Sequence, residues 1–91
     1  MCRNIKPLFN FDPPASDEDV RNASVQFVRK LAGFTRPSQA NAEAFDRAVN
    51  EIAASARTLI DSLVTSAPPR DREEWTAKMK ERSAHRYAPR A

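Results

Sequence analysis

Apolar positions change their period along the chain. Phe9 and Phe11 flank polar Asn10, an alternation of two that marks extended backbone. Pro13 and Pro14 follow and exclude helix until Ala15. Residues 1–15 are therefore expected to form an extended arm. From Ser16 the period becomes helical. Ser16 is an N-cap, Asp19 takes the capping-box position, and Asp17, Glu18 and Asp19 complement the positive helix end. Val20, Ala23, Phe27 and Leu31 are the expected buried stripe of this first helix. Arg29 and Lys30 suit its last turns, and Gly33 its C′ position.

Phe34-Thr35-Arg36-Pro37-Ser38 reads as the following turn, with Ser38 or Asn41 capping a second helix that runs to about Val64. Its stripe is Phe45, Val49, Ile52, Ala53, Ala56, Leu59, Ile60 and Leu63. The short link favours an antiparallel hairpin. Pro68 and Pro69 break the pattern again. Asp71, with Glu74 three positions on, starts a third helix over 72–86, with Glu74 and Lys78 as an i,i+4 pair. Trp75 and Met79 alone define its apolar face, and fraying is expected after about Ser83. The expected fold is all-α: an antiparallel helical hairpin with an N-terminal extended arm and a looser third C-terminal helix. Its expected divisions are the arm (1–15), the hairpin core (16–66) and a basic, apolar-poor helix and tail (67–91).

Composition sharpens this division. All 17 Val, Ile, Leu and Phe residues lie between Ile5 and Val64. The hairpin and arm must supply the core, and the last segment can only lean on it. In 91 residues such a core is marginal. Partner binding or self-association is therefore expected. One glycine rules out a Gly-rich phosphate loop or dinucleotide fingerprint. One Cys and one His cannot supply a four-ligand zinc site, and a single Cys forms no internal disulfide. No cofactor is expected. No stretch approaches the roughly 18 apolar residues of a membrane span, and no signal-peptide pattern opens the chain, so a cytoplasmic setting is expected.

The formal charge is +3, and residues 67–91 carry that excess. Arg70, Arg72, Trp75, Lys78 and Arg82 mix cations with an aromatic ring, the combination that binds single-stranded nucleic acid. The acids between them leave no clean basic face, so a solvated helix docked through Trp75 is the plainer reading. Arg36, Ser38 and Asn41 cluster at the start of the second helix, where free amides can hold an anion. A simply capped helix start reads the same way.

Met1-Cys2-Arg3-Asn4-Ile5, Phe9-Asn10-Phe11 with Pro13-Pro14, and Gly33 through Asn41 form a distinctive combination. Leu63 through Ala67 and Pro68 through Arg72 complete it. Over roughly residues 1–75 the chain resembles a family of small bacterial proteins known only as a domain of unknown function. The resemblance implies a bacterial cytoplasmic protein of one compact domain. It implies no activity, substrate or cofactor.

Cys2 is the candidate nucleophile or metal ligand. Removal of Met1 would place a thiol beside an α-amine, and the positive charge of the amine and of Arg3 would favour the thiolate. Arg3 and Asn4 could then line a ligand site. The bland alternative is an inert thiol. No catalytic set surrounds it, so an enzyme is the less favoured reading. A non-enzymatic binding or adaptor module leads. A thiol or metal site at Cys2-Arg3-Asn4 and nucleic-acid binding by the C-terminal segment are the alternatives.

Overall fold

A computed structural model describes residues 5–87, with side chains described through residue 82. Five elements follow in order: β1 (Phe11–Asp12), α1 (Asp17–Ala32), α2 (Ala42–Ser62), β2 (Arg70–Asp71) and α3 (Arg72–Tyr87).

The start of α1 follows from its capping box. Ser16 Oγ accepts from the Asp19 amide at 3.1 Å, and Asp19 Oδ2 accepts from the Ser16 amide at 2.9 Å. Two amides at the helix start thereby gain partners. Gly33 ends the helix at φ 80°, a conformation that costs a residue without Cβ little, and its amide donates to Arg29 O. Asn41 is the N-cap of α2, but its side chain makes no capping bond. Its Nδ2 donates instead to Ser38 Oγ at 3.1 Å. The helix ends at Ser62, two residues before the expected limit, where Leu63 turns to extended backbone.

Cross-helix pairs show that α1 and α2 are antiparallel. Arg21 Nη1 donates to Asn50 Oδ1 at 2.9 Å, and Phe34 stacks on Phe45 with centroids 6.1 Å apart. At the opposite end Arg57 donates to Ala15 O at 3.0 Å and lies 3.6 Å from the Asp17 carboxylate. The same guanidinium forms a two-bond pair with Asp61. That pair raises the Arg57 pKa further above its ordinary value.

The buried face of α1 corrects the expected stripe. Val20, Ser24 and Val28 are buried, while Phe27 is 43% and Leu31 69% exposed. The helix is rolled so that a small polar residue, rather than a large apolar one, is buried. Ser24 tolerates burial because its hydroxyl donates to Val20 O at 2.8 Å. On α2 only Val49 is fully buried. The buried positions of the two helices are thus small side chains.

The fold is also not purely α-helical. β1 and β2 pair in parallel, Phe11 opposite Arg70 and Asp12 opposite Asp71. The Asp12–Pro13 peptide bond is cis. Parallel pairing needs a long connection, and here the whole hairpin supplies it. The arm therefore joins the segment leading into α3. Asp71 then caps α3 by accepting from the Glu74 amide at 2.7 Å.

Candidate functional site

The junction of arm and α3 begins at Asn10. Its φ of 63° is left-handed, a region where Asn is several-fold enriched. Its carbonyl accepts from the Arg70 amide at 2.9 Å, and its Nδ2 donates to Pro68 O at 3.2 Å. Arg70 returns a side-chain bond to Phe9 O at 3.1 Å. These bonds hold Phe11, which is only 4% exposed, beneath the start of α3. Trp75 meets its ring edge-on at 5.6 Å, and the guanidinium carbons of Arg70 and Arg72 lie 4.2 and 4.4 Å from its centroid. Edge-on aromatic pairs and cations over rings are both attractive arrangements.

Arg72 also lines a cleft of about 490 Å³ beside α1. The arm contributes Lys6 to this cleft, and α3 contributes Thr76 next to Arg72. From α1 come Asp19, Asn22, Gln26 and Arg29. Arg29 Nε donates to Thr35 O at 3.0 Å, which steadies its base. Asp19 has its pKa lowered, first by the bond from the Ser16 amide, then by the Ser16 hydroxyl and the charge of Arg72; its modest burial opposes this. Arg72 differs from its neighbours. Its Nε and Nη2 are buried and have no hydrogen-bond partner among the described residues.

A second groove, of about 320 Å³, is lined by Pro68, Pro69, Arg70, Asp71 and Trp75. Lys78, at its edge, is paired with Glu74 at 3.4 Å. Of the sequence candidates, Arg70, Arg72 and Trp75 come together around Phe11. Lys78 and Arg82 lie further along α3, with Arg82 exposed. Arg36, Ser38 and Asn41 are exposed in the turn before α2, where Ser38 and Asn41 bond each other. Cys2, Arg3 and Asn4 lie outside the described residues. Among the described residues no three His, Cys, Asp or Glu side chains gather as a metal site. No described helix is long and apolar enough to cross a membrane.

Sequence reading missed Lys6, Asn22, Gln26, Arg29 and Thr76 as cleft residues. A signal exists, since Asp19, Asn22, Gln26 and Arg29 recur at helical spacing. A solvated helix face has the same pattern, and only the position of the arm distinguishes the two.

These features define a small helical hairpin clasped by a two-strand parallel ribbon, with the cleft between clasp and hairpin. The chain belongs to DUF2277, a family of uncharacterized conserved proteins whose model matches residues 1–78. No curated protein and no solved structure matches it.

Proposed function

We propose that the protein is a non-enzymatic binding module of the bacterial cytoplasm. It docks an apolar helix of a protein partner, or of a second copy, on the C-terminal end of α2. One observation carries this reading: apolar side chains in the last turn of α2 and just past its end continue beyond the start of α1. Arg57 is level with Ala15 and Asp17, where α1 begins. Past that level Leu59 is 58%, Leu63 43% and Val64 92% exposed. Single exposed leucines are ordinary, but a cluster next to so small a core favours an interface. The stacking and cationic groups at the start of α3 are already engaged around Phe11, so they support internal docking more than nucleic-acid binding.

The test is a photo-crosslinking residue at position 63 in the native cell, compared with one at exposed Glu51. Sedimentation of the purified full chain over a range of concentrations accompanies it. Crosslinks from position 63 to one defined partner, or to a second copy with matching concentration-dependent mass, support the reading. A monomer at every concentration, with equal background from both positions, overturns it.

A further inference from the structure

We infer that the partner docked on α2 is a second copy of this chain, and that the two copies cover one apolar side of each other's hairpin as a two-fold four-helix bundle. The inference rests on the docking reading above and names its occupant. The carrying observation is that both helices leave apolar residues exposed on the same side of the hairpin. A helix turns by about 100° per residue. On α1 the buried line is Val20, Ser24 and Val28; Arg21 is turned about 60° to one side of Ser24 and Phe27 about 60° to the other. On α2 Asn50 is turned about 100° to one side of buried Val49, with Ile52 and Leu59 about 60–80° to the other. Arg21 and Asn50 are bonded to each other, so they mark one side of the hairpin. Phe27 and Leu59 therefore share the opposite side, and exposed Leu31 and Leu63 extend it toward the two ends of the hairpin.

The chemistry of this side selects the occupant. From Ala53 through Val49 and Leu59 round to Ser62, about half the circumference of α2 carries no Asp, Glu, Lys or Arg. A helix needs an apolar stripe of about 100° to pack on a core, and α1 is the helix packed closely on α2 among the described residues. The stripe is therefore wider than α1 uses. Electrostatic complementarity is what selects a particular foreign partner, and this sector of α2 offers none. An identical copy meets it without like-charge repulsion, and a two-fold interface is one patch set against itself. Phe27, Leu31, Phe34, Leu59 and Leu63 expose roughly 500 Å² per copy, most of the about 800 Å² that a standard interface takes from each partner. Ala44, Ser55 and Ser62, exposed along the outer edge of the stripe, are small enough to let a neighbouring helix approach. The chain is also spread out. Its radius of gyration is 16.0 Å, where a compact domain of this length has about 12 Å. Stacking two hairpins supplies the second layer that a stable helical domain requires.

The test is sedimentation equilibrium of the purified full chain from micromolar to millimolar concentration, for the parent and three variants. The parent is expected to pass from one chain to two and to stop there, because a two-fold interface closes. Leu59→Glu on α2 and Leu31→Glu on α1 each place a charge in the stripe at an exposed position. Each should weaken dimerisation about tenfold or more with the helical spectrum unchanged. Ala54→Glu, exposed on the polar side of α2, should leave it unaltered. A dimer indifferent to both stripe variants, or one weakened equally by Ala54→Glu, overturns the assigned surface. Association that continues past two chains overturns the two-fold arrangement. A monomer that crosslinks from position 63 to a different protein overturns the second copy but keeps the docking reading. A monomer with background crosslinks alone overturns both.

Discussion

The hairpin and the clasp hold their parts together by opposite means. In the hairpin, stabilisation is spread over small residues. Val20, Ser24, Val28 and Val49 are its buried positions, and the bonds Arg21–Asn50 and Arg57–Ala15 add polar ties. In the clasp it is concentrated. One buried ring, Phe11, meets Trp75, Arg70 and Arg72, and one asparagine ties the backbones. The bonds of the clasp span 58 to 61 residues of chain. Closing so long a loop costs entropy that pre-formation of the hairpin reduces. The clasp should therefore close on a hairpin already formed, and a single side chain should be able to open it.

Phe11→Ala gives the largest expected effect, a loss of about 3–5 kcal/mol on denaturant unfolding. Hydrogen exchange should show α3 amides losing protection before those of α1 and α2. Equal loss across all three helices would break the distinction and make clasp and hairpin one cooperative unit.

Ser24→Leu is next and addresses the hairpin. A larger side chain at this buried site should cost about 1–3 kcal/mol through overpacking. Ser24→Ala is the contrast, expected to cost under about 1 kcal/mol, because Val20 O keeps its helical acceptor role and Ala favours helix. If leucine were tolerated as well as alanine, the hairpin would not depend on close approach at this position.

The two regions also differ in how far their sequence announces them. Ser16, Asp19 and Gly33 mark the bounds of α1 because caps are local chemistry, and Asp71 marks α3 in the same way. The face that α1 buries was less legible. A hydrophobicity pattern favours Phe27 and Leu31 over Ser24, and only the packing of the whole chain reverses that order. The clasp was legible merely as an extended arm. Two residues such as Arg70-Asp71 carry little strand preference, and their pairing with Phe11-Asp12 is set by Asn10 and Pro68 across the fold. The sequence marks Arg72 only by its charge; that two of its nitrogens lack partners among the described residues is visible only in three dimensions.

Ser16→Ala should cost about 1 kcal/mol by removing one half of the cap of α1. The smallest effect belongs to the other half, and it depends on pH. Hydrogen bonds from Ser16 hold the Asp19 carboxyl below its ordinary value of 3.8 in the folded state. A carboxyl with a lowered folded pKa binds fewer protons folded than unfolded in this range. Its contribution is complete above the ordinary value and is lost as pH falls through the lowered one. Asp19→Asn should therefore be less stable than the parent at neutral pH, and the gap should narrow in acid. Unfolding of both chains at a series of pH values checks this. A gap that stayed constant from neutral pH into acid would mean that α1 gains nothing from the ionised cap, leaving its start to the Ser16 hydroxyl and to the clasp alongside it.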